Sequence, residues 1–94
     1  MTILAIIDKD PSADLDYGFD WTLWLDGDTI TSSSWSVDQN SGILIHNFSI
    51  STSGTKTAVW LAGGRLGLHQ VTNIIGTLSL RKDARSFTLN VVSR

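Results

Sequence analysis

The side chains of this sequence that could ligate a metal ion are two histidines, His46 and His69, and nine aspartates. Imidazole is a common metal ligand, but a zinc site usually takes three or four protein ligands. No third ligand stands at a recognisable spacing from either histidine. The chain also has no cysteine, which excludes thiolate ligands, thiol catalysis and disulfides. We therefore expect no metal ion and no other cofactor.

Paired aspartates could serve a calcium loop or a glycosidase. Asp26 and Asp28 flank a glycine as in an oxygen-ligand loop, but an EF-hand loop closes with a glutamate and this chain has none. Asp16 and Asp20 fall on one side of a predicted strand, as paired carboxylates would, with no sign of a sugar cleft around them. No nucleophile–base arrangement and no phosphate loop is recognisable. The sequence therefore predicts a protein that is not an enzyme.

Four tryptophans are the remaining candidates for a binding role. Aromatic side chains bury a large area, and a β-sandwich is often centred on a strand tryptophan. Trp21, Trp35 and Trp60 are therefore predicted to be core. Trp24 stands two residues before a predicted loop, so it is either core or an exposed contact anchor at the rim.

Composition indicates the elements that must carry these residues. Serine and threonine make up 22 of 94 residues, and every acidic residue is aspartate. These side chains compete with helical hydrogen bonds and favour caps and turns, whereas threonine, valine, isoleucine and tryptophan suit strands. Alternating polar and apolar residues, with Tyr17 and Phe87 on the apolar faces, predict further core positions. The expected class is all-β.

Turn signals divide the chain into about seven short strands, which is typical of an immunoglobulin-like β-sandwich. Ile30 and Trp35 would lie on opposite faces of one regular strand, so we expect either a bulge or an early edge there. We expect one domain, with an arm or first strand over residues 1–8 and the sandwich over residues 9–94. The predicted strands cover residues 2–7, 15–21, 29–37, 43–50, 57–62, 68–80 and 86–92.

The first residues are unusually apolar, with Ile3, Leu4, Ile6 and Ile7 close together. The run is too short for a signal peptide or a membrane span. It is either the first strand of the sandwich or, with Trp24, a contact surface for a partner. The net charge is −2 and the basic residues are scattered, so we expect neither nucleic acid nor a membrane as partner.

A series of short motifs runs along the chain: K-D-P at residues 9–11, L-D-Y at 15–17, D-W at 20–21, W-L at 24–25, D-T-I at 28–30, V-W-L-A-G-G at 59–64, V-T-N at 71–73 and R-S-F-T-L at 85–89. In this order the motifs resemble those of the small tailed-phage proteins known as fiber–tail adaptors. A tyrosine commonly stands two residues before V-T-N in that family, where this chain has His69. The segment between Trp35 and Trp60 and the hairpin tip at residues 80–83 match poorly.

The resemblance implies a non-enzymatic structural protein of a tailed-phage virion that bridges the tail or neck to a fibre or appendage. It implies other virion proteins as partners, possibly with further copies of the chain itself, and synthesis in the host cytoplasm. Two alternatives stay open at this stage. One is a capsid decoration or cement protein, and the other is a carbohydrate-binding module that stacks a sugar on Trp24.

Overall fold

The structure is a computed structural model that describes residues 6–93, and its strands form two stacked sheets. It confirms the predicted seven-stranded all-β sandwich, with one helical turn added. Ile3 and Leu4 lie outside the described residues. The elements are β1 (Ile6–Lys9), β2 (Asp14–Asp20), α1 (Thr22–Leu25), β3 (Ile30–Val37), β4 (Ile43–Ile50), β5 (Lys56–Gly63), β6 (Gly67–Thr77) and β7 (Lys82–Val91).

One sheet has four strands in the order β1-β7-β6-β3, and the other has three in the order β2-β5-β4. Neighbouring strands are antiparallel except for β1, which runs parallel to β7 from the pair Ile6–Thr88 to the pair Lys9–Val91. Ile6 and Ile7 therefore belong to the edge strand of the four-stranded sheet. Their side chains remain exposed.

The core fills the space between the two sheets. Phe19 stacks on Trp35 with ring centroids 5.9 Å apart, and Tyr17 stacks on Phe87 at 5.5 Å. Both pairs join opposite sheets, as expected of interdigitating inner faces. Around them lie two clusters of buried side chains, one of Val59, Leu61, Val71, Phe87, Leu89 and Val91, the other of Trp21, Leu25, Ile30 and Ile75.

Two register shifts adjust which side chains face this core. The shift between Ile30 and Ser32 in β3 confirms the expected irregularity, and it lets both Ile30 and Trp35 face inward. A second shift, between His46 and Ser49 in β4, includes Asn47 at φ +49°. Unbroken alternation would place Ile50 on the same face as the exposed Leu44, whereas the extra residue moves Ile50 to the inner face.

Residues 22–25 form one turn of α-helix, because the N–H of Leu25 donates to the carbonyl of Trp21 four residues earlier, at 2.9 Å. One local prediction along the chain is wrong. The last two strands were expected to separate at residues 81–85. The chain instead turns at residues 78–81, where Leu80 adopts φ +66°, and β7 already begins at Lys82.

The prediction that Trp60 belongs to the core is wrong. Val59 and Leu61, its neighbours in β5, are both fully buried, so the strand alternation turns Trp60 to the outer face of the three-stranded sheet. Its side chain is 39% exposed. Trp21, by contrast, is fully buried, and Trp35 is partly buried against the core.

A buried polar cluster around Asn73 joins the two sheets. Asn73 Oδ1 accepts hydrogen bonds from Trp21 Nε1 at 3.1 Å and from the Thr57 hydroxyl at 2.7 Å. Its amide nitrogen donates to Ser33 Oγ at 2.9 Å and to the Ser34 carbonyl at 3.0 Å. Buried polar groups are tolerated only when they are paired in this way. Asn73 therefore fixes β2, β5 and β3 relative to β6.

We predict that Asn73→Ala lowers the free energy of unfolding by about 2–4 kcal/mol. The buried Thr57 hydroxyl loses the acceptor of its hydrogen bond, and Trp21 Nε1 keeps only the longer bond to Thr57 Oγ1 at 3.3 Å. Urea unfolding followed by tryptophan fluorescence measures this. Asn90→Ala is the matched control, since Asn90 is partly exposed and bonds only to Asp8 at 3.2 Å. Equal losses in the two variants would contradict a structural role for Asn73.

Candidate functional site

The end of the sandwich that carries α1 is organised by one carboxylate. We call this the α1 end; it comprises α1, the loop at residues 26–29 and the β6–β7 turn at residues 78–81. Asp28 is only 7% exposed there. It accepts hydrogen bonds from the Thr29 N–H at 2.8 Å, from Ser79 Oγ at 3.1 Å and from Arg81 Nε at 3.0 Å. One side chain thus ties the loop after α1 to the β6–β7 turn.

Arg81 completes this arrangement by closing the end of α1. Its Nη2 donates to the Leu25 carbonyl at 2.7 Å, one of the carbonyls that a helix end leaves unpaired. The guanidinium also lies 4.2 Å from the centre of the Trp24 ring, and Trp24 packs against Trp21 with centroids 5.5 Å apart. A sugar stacked on Trp24 would find one ring face occupied by Arg81, so the geometry gives the carbohydrate-binding alternative no support.

The hydrogen bonds that reach Asp28 hold the pKa of its carboxyl well below the usual range. The Thr77 hydroxyl is the largest cause, and the Thr29 N–H, Arg81 and Ser79 act in the same direction against desolvation. Each of these donors favours the charged form. Asp28 is therefore a structural anion and not a proton donor near neutral pH.

A buried lysine organises the opposite end, which we call the Gly63 end; it comprises the turn at residues 10–13 and the β5–β6 connection at residues 63–68. Lys9 Nζ donates to the Gly63 carbonyl at 2.6 Å and to the Asp10 carbonyl at 2.9 Å. Its side chain is fully buried. Desolvation lowers the pKa of Lys9, while attraction by Asp10 and Asp14 opposes the change. This role of Lys9 is not apparent from the sequence, because its acceptor Gly63 lies 54 residues away.

The β5–β6 connection is glycine-dependent at this same end. Gly63 and Gly64 have φ values of +71° and +118°. A Cβ on Gly64 would come within 2.9 Å of the Val91 side chain, which lies in the core. Positive φ and this close approach both require glycine. The K-D-P and G-G motifs, 54 residues apart, therefore meet through Lys9.

His69 fills the place where a tyrosine is common in the adaptor family. Its Nε2 donates to the Arg65 carbonyl at 2.8 Å, four residues earlier in the chain. A tyrosine corner makes the same kind of backbone contact with its hydroxyl. The histidine thus bonds to a backbone carbonyl two residues before β6, with a ring nitrogen as the donor.

The histidines and aspartates among residues 6–93 do not assemble into a metal-binding cluster. His46 pairs with Asp14 at 2.9 Å, and no group of three metal-ligating side chains occurs in this part of the chain. Asp16 and Asp20 lie four residues apart on β2, about 13 Å along a strand, wider than glycosidase carboxylates. Hydrogen bonds from Thr22 also lower the pKa of Asp20, the opposite of what a general acid needs.

Exposed leucines mark both ends of the domain. Leu23 and Leu80 are 95% and 91% exposed. They lie at the α1 end, on the turns that Asp28 and Arg81 fix. Among the described residues, five of the six most exposed large apolar side chains lie at the two ends, and the sixth is Ile6. The five are Leu23, Leu78 and Leu80 at the α1 end, and Leu66 and Leu68 at the Gly63 end.

Comparison with known proteins identifies the chain. The family model described as podophage GP4 fiber-tail adaptor protein gp77 matches residues 9–90. The chain belongs to this adaptor family. No curated protein sequence gives a significant match. Membership makes the chain a structural phage protein associated with the tail, and other tail and fibre proteins are the partners that membership implies.

Solved structures resemble the adaptor in fold. The cysteine protease inhibitor EhICP2 from Entamoeba histolytica superposes with a TM-score of 0.50 at 9% sequence identity, over 90% of this chain and 84% of that one. Amebosin gives a TM-score of 0.47 at 13% identity, over 97% and 96% of the two chains. At such identities the first likeness concerns the fold alone, and the second carries no argument.

The motifs of the adaptor family contribute residues to contacts between distant segments of the chain. Lys9 of K-D-P contacts Gly63 of G-G, Trp21 of D-W contacts Asn73 of V-T-N, and Asp28 of D-T-I fixes the α1 end. These motifs supply contacts that hold the strands and turns together, whereas the exposed leucines lie on the turns themselves.

The single helix described within residues 6–93 has four residues, and none of this part of the chain forms a helix that could span a membrane.

We predict that Asp28→Asn flattens the loss of stability in acid. The folded-state pKa of Asp28 is lowered, so its contribution is complete above the unfolded pKa of about 4 and is lost as pH falls toward the folded-state value. Urea midpoints from about pH 7 to pH 2 should fall less in Asp28→Asn than in the wild type. Asp16→Asn, on the exposed face of β2, is the charge-matched control. An equally steep decline in Asp28→Asn would refute the assignment.

Proposed function

We propose that this protein bridges the phage tail or neck to a fibre or appendage by binding one neighbour at each end. The observation that carries the proposal is the placement of the exposed leucines at the two opposite ends of the sandwich. Single exposed apolar side chains are ordinary on a surface, but a concentration at two fixed ends is typical of interaction sites. The alternative of capsid decoration has no comparable observation in its favour.

The shape of the domain suits such a bridge. Its principal extents are 41 × 25 × 21 Å, and β6, with eleven residues, spans about 36 Å by itself. Two proteins bound at opposite ends would therefore be held apart without competing for one surface. A β-sandwich keeps that separation constant because its strands are hydrogen-bonded along their length.

Both ends are also fixed before any partner binds. At the α1 end the bonds of Asp28 and Arg81 hold the turns that carry Leu23 and Leu80. At the Gly63 end Lys9 holds the connection that carries Leu66. Fixing a loop in advance lowers the conformational entropy that binding must overcome. The exposed edge residues Ile6 and Ile7, with Ile3 and Leu4, are a further candidate contact for a neighbouring virion protein.

If the protein is a bridge, substitutions at its two ends should have different effects on the composition of the phage particle. In phage carrying Leu23→Asp/Leu80→Asp or Leu66→Asp/Leu68→Asp, one double variant should remove the adaptor itself from the particle. The other should leave the adaptor in place and remove the fibre or appendage. A charged side chain in an apolar contact is costly because it must be desolvated. Protein composition of purified particles, with fibres counted by electron microscopy, measures both outcomes.

Phe48→Asp is the control, because Phe48 is exposed within β4 and belongs to neither end as defined above. It introduces one aspartate where each double variant introduces two, and it should leave particles complete. Thermal unfolding of each purified variant checks that the fold is retained. Complete particles with both double variants, or loss of the fibre and adaptor together with either one, would contradict a bridge with two separate ends.

A further inference from the structure

The two sides of the sandwich differ in charge. The edge strands β3 and β4 lie on one side and contact each other, and β1 and β2 form the edges of the other. On the latter side, β2 carries Asp14, Asp16 and Asp20. The sixteen residues of β3 and β4 include no aspartate, glutamate, lysine or arginine.

Native sheets protect an open edge with charges, proline or a bulge, because its unpaired N–H and C=O groups attract another strand. The bulge at Asn47 interrupts β4 near its middle. The irregularity of β3 lies at its start instead, where the Gly54 carbonyl already accepts a bond from the Ile30 N–H at 2.9 Å. Residues 32–37 continue as a regular, uncharged edge that pairs with β6 alone within residues 6–93.

We propose that this edge of β3 pairs with the same edge of a second copy of the chain. The two β3 strands would run antiparallel around a two-fold axis at Ser34. The two four-stranded sheets would thereby form one sheet of eight strands. An edge that meets itself in this way must be self-complementary, because each residue contacts its symmetry equivalent or its exchanged partner.

The sequence of β3 satisfies that condition. On the outer face Ser34 would lie opposite Ser34 of the second copy, and Ser32 opposite Ser36 of the second copy. On the inner face the large Trp35 would lie opposite the small Ser33 of the second copy. No like charges would face each other, and like charges in opposed positions destabilise a sheet. In a self-pairing of β2 about its middle residue, Tyr17, Asp14 would lie opposite Asp20 of the second copy, so the charge pattern favours β3.

The proposed pairing uses a side of the sandwich and leaves both ends free. It therefore goes beyond the proposed bridge and does not depend on it. A pairing of five residues per copy, residues 32–36, is also smaller than the interface of a stable dimer. Self-association should accordingly be weak in dilute solution and is best detected by covalent capture.

Disulfide cross-linking is suited to this protein because the chain has no cysteine. A single substitution therefore introduces one thiol at a chosen position. Directly opposed residues in antiparallel strands have Cα atoms about 4.5–5.5 Å apart, which fits a disulfide. Purified Ser34→Cys, treated with diamide, should therefore form a covalent dimer. Thr88→Cys is the matched control, because Thr88 belongs to the interior strand β7, which is paired on both sides. Ser34→Cys should cross-link about tenfold faster or more, through the higher effective concentration of paired thiols.

A second experiment tests the register. Ser32→Cys and Ser36→Cys should each cross-link slowly alone, whereas a mixture of the two should form the mixed dimer readily. Independently, Ser34→Lys should weaken any concentration-dependent association of the otherwise unmodified chain in sedimentation velocity, because charge on an edge strand opposes pairing. Circular dichroism confirms that each variant keeps its β-sheet.

Two results would overturn self-pairing. One is cross-linking of Ser34→Cys no faster than that of Thr88→Cys. The other is a mixture of Ser32→Cys and Ser36→Cys that shows no preference for the mixed dimer. If Ser34→Cys fails to cross-link and Ser34→Lys is also lost from particles, the β3 edge belongs instead to a strand of another virion protein. Failure of the two-ended bridge would leave all these cross-linking results unchanged, so the two proposals are separable.

Discussion

The carboxamide of Asn73 is the interaction on which the rest of the structure depends. It is fully buried, so its hydrogen-bonding groups must find partners inside the protein. Those partners come from β3, from β5 and from Trp21, the residue at which β2 passes into α1. Satisfying one side chain therefore sets the relative position of the two sheets and the point from which the α1 end is built.

Both ends of the domain invert the usual arrangement of polar and apolar residues. Lys9, Asp28 and Arg81 form hydrogen bonds with backbone carbonyls, N–H groups and hydroxyls. Leucines on the same turns face solvent instead. Charged groups thereby hold the loops, and apolar groups remain available to a partner. This division suits the structural, tail-associated role of the adaptor family, in which the protein contacts other phage proteins through its surface.

The fold does not distinguish this adaptor from proteins of other function. A cysteine protease inhibitor has a similar sandwich at 9% identity, which illustrates that one architecture hosts unrelated activities. The family motifs, unlike the fold, do distinguish this adaptor. They mark contacts between distant segments, such as that of Lys9 with Gly63, which depend on the particular arrangement of its loops.

The sequence by itself determined the class of fold, most of the strands and the irregularity of β3, because alternation and turn chemistry are local properties. It also indicated the family, because short motifs of the adaptor family occur along the chain in the same order. It could not place Trp60, because period-two alternation does not say which face is inner until both neighbours are known to be buried. It missed the bulge at Asn47, the buried Lys9 and the Asp28–Arg81 pair for a common reason. Each depends on residues far apart in the chain, and only the tertiary structure brings them together.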